Sequence, residues 1–594
     1  MKQKIIAYSK YLFGGLLLLI SACTDLSETL YDRIVSDNFY NTKENAYQGY
    51  VRSFEHNYWA ATQARPMIQE GMADHMVIAN RQGNWYNNGI YQRLHWHTME
   101  IEDQFHRDVW NHMFDGIGFA NNSYADISGL DPAKFNMDPR EIENMKAQLR
   151  SMRAWYYINL FDMFRNIPLV TEYPSPDPMP SQVEPMVIFN FIESEIKEII
   201  PQLEKKVSTG GNGIKQGQWT QAGAACILMQ LYLNASVWIG QDRLSDCEKV
   251  AQDIIDGVYG VYDLSPRWDG PFDSDNESCD EIIYACPSFL GYRHLVYGGT
   301  YQWGAIPYLS VSTYFNHTNQ GRGDQRWGVQ PGLDLQGNEY TFKNGKPVRK
   351  FLKYPDDYRL IKYRNLGDSR REGLFIHGYL DYVDDSGETK YVMSNTGGYT
   401  LYMRDQYGWF EDTDPSSISP APTQYQWGNG SSEGYDISDI DHCDQNSGWI
   451  LVKYPIYPSG ENTIDTDYPI FRLAEVYYTL AECKFRKGDN AGAAKLLNAV
   501  RKRNYPSGSP SLYKEDGSQI TAQELLDEWG REFIFECRRR TDLIRFGVFT
   551  EGNWWSMDKV DHSEHTLLLP LSYQTLTSNP NLRQNPGWPD IKRD

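Results

Sequence analysis

Apolar residues recur every three to four positions over long stretches near both ends of the 594-residue chain, and the rhythm is lost between them. Met145, Leu149, Met152, Trp155, Tyr156 and Leu160 share one face of a 3.6-residue helix, as do Ile188, Ile192, Ile196, Ile199 and Leu203. The proline-rich stretch 174–185 between them cannot continue a helix, because proline lacks the amide donor that the ladder needs. A second helix pair is predicted over 219–237 and 245–255, its first member rich in alanine, which lets backbones approach closely. The third pair is the clearest. Leu473, Val476, Tyr477, Leu480 and Ala481 form a stripe, Gly488-Asp489 interrupts it, and a new helix begins over 493–500. Helix, glycine turn and helix within about 34 residues is a tetratricopeptide-like unit. A mostly α scaffold of such pairs is therefore expected over about 40–260 and 467–550. The pairs lie far apart in sequence, so a continuous solenoid is not expected.

Residues from about 265 to 460 are rich in Gly, Pro, Asn, Asp and aromatics and show little periodicity. They read as long loops with short strands. Loops of that length inside a compact protein are usually functional, so this stretch is the expected ligand-binding region.

The first 22 residues read as a lipoprotein signal peptide. Lys2, Lys4 and Lys10 precede an apolar run, 11–20, that is too short to span a bilayer. The run ends in Ile20-Ser21-Ala22-Cys23, small residues before a thiol, which is a bacterial lipobox. Cys23 would carry the lipid and begin the mature domain, 23–594. Several acyl chains anchor firmly, since each buried methylene contributes about 0.8 kcal/mol.

A net charge of −21 argues against nucleic acid, whose phosphates demand a basic surface, and favours a neutral ligand. None of the cysteines after Cys23 forms a C-x-x-C motif. Cys226, Cys483 and Cys537 fall in helical patterns and read as small buried hydrophobes, whereas Cys279 and Cys286 lie close enough in sequence to pair. Two catalytic signatures are missing: there is no H-E-x-x-H and no phosphate-binding glycine loop followed by lysine. With 78 acidic residues, chance carboxylate pairs carry no information about glycoside hydrolysis. His95, His97, His106 and His112 cluster in sequence without metal-ligand spacing. Asp273-x-Asp275-x-Glu277 lacks the remaining calcium-loop positions and reads as an acidic turn. Neither a metal nor a cofactor is expected.

Aromatics make up 14% of the chain, and some are placed where a sugar could stack. A sugar ring offers an apolar face of C–H groups to Trp or Tyr, while its hydroxyls need planar polar partners. The segment 80–88, Asn-Arg-Gln-Gly-Asn-Trp-Tyr-Asn-Asn, supplies both in one loop, with Arg81, Trp85 and Tyr86 as candidates and Trp96 closing the region. Tyr301, Trp303 and Trp327, the last preceded by Arg326, form a second group. Tyr399, Tyr402, Trp409 and Trp427 form a third.

Five segments, in order, resemble the SusD/RagB family of outer-membrane nutrient-binding lipoproteins. They are RSMRAWYYINLFDMFRNIPLV (150–170), ESCDEIIYACPS (277–288), DYPIFRLAEVYYTLAECKFRKGDNAGAAKLLNAVRKR (467–503), REFIFECRRRTDLIRFG (531–547) and LLLPLSYQTLTSNPNLRQNPGW (567–588). Arg472, Glu475, Glu482, Arg531, Glu532, Glu536, Arg538, Arg539, Asp542 and Arg545 sit in these motifs at spacings of three and four, which puts opposite charges on one helix face. They read as scaffold glue rather than catalytic groups. The resemblance implies a SusD-like fold and a protein, not an enzyme, held on the outer membrane by its lipid and facing the exterior. It implies an oligosaccharide or polysaccharide ligand, captured by loops after the first helices and loops of the middle region, and a SusC-like TonB-dependent transporter as partner. Two other readings stay open at this stage: the same fold carrying peptides, and a surface glycosidase. The glycosidase would need a pair of buried carboxylates with raised pKa values in the aromatic cleft.

Overall fold

The computed structural model describes residues 39–210, 217–288, 314, 325–366, 371–393, 400–409, 437–455 and 466–592. Cys23, Tyr301, Trp303, Tyr399 and Trp427 lie outside the described residues.

The molecule is mostly helical, with small two-stranded sheets. The longer helices of the first half are α1 (Lys43–Trp59), α2 (Gln104–Ser128), α3 (Pro139–Phe164), α4 (Pro185–Ile199), α5 (Gln221–Leu233) and α6 (Leu244–Ile255). Those of the second half are α7 (Leu473–Arg486), α8 (Asn490–Arg501), α9 (Ala522–Glu532) and α10 (Arg539–Arg545). Their starts follow local chemistry. Thr42, Asp138, Thr220, Asp489 and Thr521 each accept an amide hydrogen from the first turn, and Pro139 and Pro185 open α3 and α4, where no amide donor is needed. The helix expected over 219–237 is broken at Asn234, whose side chain bonds back to the Gln230 carbonyl, and a short helix, Ala235–Ile239, follows.

Each helix from α1 to α6 packs on the next, and α6 then packs on α7, which packs on α8. The break in sequence is therefore not a break in packing: the two helical regions form one row of pairs. In α7 and α8 the contact is built from Ala474, Ala481, Ala493, Ala494 and Leu497, small enough for close approach, and Trp529 of α9 closes it.

The loop-rich middle leaves and re-enters this row at one place. Strand β2 (Ile282–Cys286) pairs antiparallel with β6 (Tyr468–Arg472), and α7 starts at the next residue. Four other short strands matter for the middle region: β1 (Met76–Ile78) pairs with β3 (Trp327–Val329), and β4 (Phe375–Ile376) pairs with β5 (Ile450–Leu451). The small sheets thus tie loops of the middle region to one another and to the first half.

The charged motif residues are buried and paired. Arg472 reaches Glu281 at 3.0 Å, Glu532 at 2.8 Å and Glu536 at 2.8 Å. Arg545 holds Glu482 and Asp542, Arg538 joins Glu475 to Asp542, and Arg539 grips Asp74 with two nitrogens. The closing motif is a staple. Asn585 donates to the carbonyls of Phe164 and Leu569 and accepts from Asn166, so the chain end locks the end of α3. Gly587 (φ +89°) fits there because a Cβ would lie 2.4 Å from His565.

The described cysteines are all free thiols, and Cys279 and Cys286 do not pair. Cys286 lies in β2, where its Sγ accepts from Asn57 at 3.1 Å, while Cys279 precedes the strand.

Glu70 gives the scaffold an alkaline limit. It is fully buried, and its carboxyl accepts the Cys537 amide at 2.7 Å. Burial pushes its pKa from 4.5 to about 8, against the pull of the Cys537 amide and Arg539. A carboxyl raised in the folded state keeps a proton that the unfolded chain loses, so its contribution declines as pH rises from about 4.5 to about 8. Glu70→Gln, which stays neutral, is expected to gain stability relative to the parent at pH 8.5, by about 1–3 kcal/mol, and to show little gain at pH 4.5. Denaturation midpoints at the two pH values check this; an equal gain at both would assign the effect to packing instead.

Candidate glycan-binding face

The 80–88 loop leaves β1 beside β3, where Ile78 faces Trp327 in the ladder. Backbone bonds then stitch it to a second loop: Asn80 N–H to Ile440 O, Cys443 N–H to Asn80 O, and Gln82 N–H to Cys443 O. Arg81 and Asn84 exchange both backbone hydrogen bonds across a tight turn, and the Asn80 side chain accepts the Gly83 amide. Gln82, Gly83, Trp85, Asn87, Asn88 and Gly89 all have positive φ. Asn and Gly take that conformation at low cost, but for Trp85 (φ +65°) it costs roughly 1–2 kcal/mol. Such strain persists only when the surroundings fix the loop, and it concentrates at ligand clamps.

Arg81 does the fixing. It is 3% exposed, and its guanidinium donates to the carbonyls of Gln325 (3.1 Å), Asp444 (2.7 Å) and Ser447 (2.8 Å). Its place is beneath the loop, where it joins three chain segments and faces the Tyr407 ring at 5.5 Å. Tyr407 is wedged so tightly that a Cβ at Gly328 would lie 2.0 Å from its hydroxyl.

Above this anchor, Tyr86 is 48% exposed and Trp85 half-buried, with the Arg326 guanidinium 4.2 Å from the centre of the Trp85 ring. Trp96 is half-buried to one side; its indole donates to Ser556 O at 3.1 Å, and Lys559 lies over its ring at 4.5 Å. Trp327 is different. As part of the second aromatic group it is expected on the ligand face, but the indole is fully buried, edge-on to Phe535 at 5.2 Å. It packs the core beneath the loop, as Arg81 does, and presents no ring face to solvent. The structure thus brings Arg81, Trp85, Tyr86, Trp96 and Trp327 into one region at different depths.

Tyr402, of the third sequence group, clusters with two tyrosines that sequence reasoning missed, Tyr379 and Tyr391. Tyr379, Tyr391 and Tyr402, all half-exposed, meet edge to face at 5.1 and 4.7 Å because two-residue and three-residue strands bring them together. His377 stacks on Trp449 at 4.4 Å. The loop 444–449 joins this group to the first: Asp444 and Ser447 hold Arg81, and Asn446 accepts the Tyr402 amide at 2.8 Å. Trp409, of the third sequence group, meets His442 edge to face at 5.6 Å.

Two acids in the walls have raised pKa values. Burial pushes Asp405 up to about 7 against Arg349 and the Gly332 amide, and it pushes Asp444 up against Arg404 and the Asn446 amide. Their oxygens are spent on those same protein donors, at 2.7 Å from Gly332 N and 2.9 Å from Arg349 for Asp405, and at 2.8 Å from Asn446 N for Asp444. That is the setting of acids that shape a loop. The imidazoles of His95, His97 and His106 are buried, and each meets a carbonyl: Trp555 O, Met72 O and Ile101 O. Burial lowers their pKa values to about 4, 3 and 4, so they are neutral packing groups. Asp273 pairs with Arg267 at 2.8 Å in its acidic turn.

Comparison with known proteins places these features in context. A SusD family model matches residues 310–588. The starch-binding protein SusD of Bacteroides thetaiotaomicron is 27% identical over 472 residues, which is 76% of this chain and 74% of that protein. A SusD-like protein, P25, of Formosa agariphila is 32% identical over 122 residues, 20% of this chain and 23% of that one. Among solved structures, a laminarin-binding SusD-like protein superposes with a TM-score of 0.61 at 20% identity, covering 92% of this chain and all of that one. Surface glycan-binding protein A from Bacteroides thetaiotaomicron, in complex with laminarihexaose, gives 0.62 at 16% identity over 92% and 99% of the two chains. At such identities the structural matches establish the shared fold.

Proposed function

The chain is a SusD-like family member, and from that premise we propose that it captures neutral oligosaccharides at the cell surface without cleaving them. The observation that carries this reading is its 27% identity to a starch-binding protein over 76% of its length. The ligand would lie on the strained 80–88 loop, stacking on Trp85 and Tyr86, with Trp96 at the edge and the loop amides and Arg326 meeting sugar hydroxyls. Arg81 and Trp327 would act from below, fixing the platform, and Tyr301 and Trp303 remain further candidates. Binding of roughly micromolar to millimolar strength, about −8 to −4 kcal/mol, suits a protein that must release its cargo.

The same premise supports attachment to the outer membrane through a lipid on Cys23, facing outward, and delivery to a SusC-like TonB-dependent transporter. Among the described residues no helix is long and apolar enough to cross a membrane. The helical row and the domain 23–594 would form the body that docks on the barrel.

Native affinity gels containing single soluble polysaccharides test the site. A glycan that retards the parent should retard Trp85→Ala at least tenfold more weakly, a loss of about 1.4 kcal/mol or more. Tyr86→Ala should weaken retention with little change in stability, because its ring is largely outside the core. Undiminished retention in both variants would move the site elsewhere.

A further inference from the structure

Away from the aromatic loops, two neighbouring helices gather metal-binding groups. His56 projects from α1, and His112 and Asp115, three residues apart on one face of α2, meet it. One donor atom from each residue lies within 4.8 Å of the others, and among the described residues this is the group of three such side chains that comes together. We propose that His56, His112 and Asp115 bind a zinc ion that clamps α1 to α2.

The surroundings pre-organise the set. His56 Nε2 lies 2.8 Å from the His112 carbonyl oxygen. A carbonyl can only accept, so Nε2 carries the hydrogen and Nδ1 the lone pair. An imidazole oriented by a backbone carbonyl is the usual outer support of a metal-bound histidine. His56 also meets Phe119 edge to face at 5.0 Å, and His112 stacks on Trp59 at 6.4 Å and 16°, so neither ring is loosely held. Nδ1 of His112 is buried without a hydrogen-bond partner, a deficit that coordination to an ion would relieve. Arg52, on the same helix as His56, is paired with Glu55.

Two imidazoles and a carboxylate suit zinc, with water in the fourth position. Tetrahedral bonds of about 2.0–2.1 Å place donor atoms roughly 3.4 Å apart, so the set must close by about an ångström. Asp115 is exposed and can supply that movement.

The test is calorimetric titration of Zn²⁺ into the purified chain after chelation and desalting, with Co²⁺ absorption spectra reporting geometry. One equivalent should bind with a micromolar or tighter Kd, Co²⁺ should give the intense visible bands of a four-coordinate site, and Zn²⁺ should raise the melting temperature. His56→Gln should weaken binding at least tenfold. Asp115→Asn, at an exposed position where folding is not at stake, should weaken it severalfold and reduce the thermal shift. No stoichiometric binding, or equal binding in both variants, overturns the proposal.

Discussion

Replacing Arg472 by alanine is expected to lower the free energy of unfolding by about 3–5 kcal/mol. Arg472 is the last residue of β6, at the point where the middle region returns to the helices. Its side chain is 2% exposed and contacts Glu281, which precedes β2, together with Glu532 and Glu536, which follow along and after α9. Alanine would leave these carboxylates without one guanidinium in a place water does not reach. Glu532 keeps Arg503 and Arg359, so the loss falls most heavily on Glu536, whose remaining partner is Lys453. The deficit should depend on pH. Burial opposes ionisation of Glu532 and Glu536, but Arg503, Arg472 and Arg359 around the first, and Arg472 and Lys453 around the second, hold both below the usual 4.5. A lowered carboxyl stabilises the fold above its unfolded pKa and loses that contribution as pH falls through the folded value. Chemical denaturation should therefore show the full deficit at pH 7 and a smaller one below pH 4. A deficit under 1 kcal/mol at pH 7 would mean that the network relaxes or that water enters.

The second large effect is functional. Arg81→Ala should abolish glycan retention, a loss of more than tenfold in affinity, although Arg81 lies under the loop rather than on it. Three carbonyls, from Gln325, Asp444 and Ser447, lose their donor at once, and each buried group left unpaired costs about 1–3 kcal/mol. The positive-φ backbone at Trp85 loses the support that holds it, and the 444–449 loop loses its tie to the platform. Arg81→Lys should not restore binding, since an ammonium cannot span three carbonyls set for a planar fork. The variant should keep its helical circular dichroism while binding fails. Normal retention in Arg81→Ala would show that the loop is held by its backbone bonds alone.

Much of the scaffold was legible because helices announce themselves locally. The stripes at 145–160, 188–203 and 473–481 each fall within one helix or its immediate extension, and the charged motif positions proved to be buried, paired glue. What joins the halves was not legible, because it depends on residues distant in sequence. Arg472 and Glu281 are 191 positions apart, and α6 meets α7 across the whole middle region. The loop site shows the same limit. Segment 80–88 has the composition of an exposed loop, and Trp85 and Tyr86 do reach the surface. Arg81 has the same polar neighbours, yet its partners come from 244 to 366 residues away, so nothing local marks it as buried. Trp327 was misleading for a related reason: its strand, Trp327–Val329, is too short to reveal an alternation that would mark an inward ring. The tyrosines at 379, 391 and 402 became a group through strand register, which no local pattern encodes.

Capture without cleavage requires that this chain bind oligosaccharide and leave it uncut. Isothermal titration of starch, laminarin and other neutral oligosaccharides, with a panel of short peptides alongside and chromatography of each glycan mixture after overnight incubation, tests it most directly. Saturable heat is expected with at least one glycan at micromolar to millimolar Kd and none with peptides, and the recovered glycan should be of unchanged length. Shortened glycan, or saturable heat with peptides alone, would contradict it.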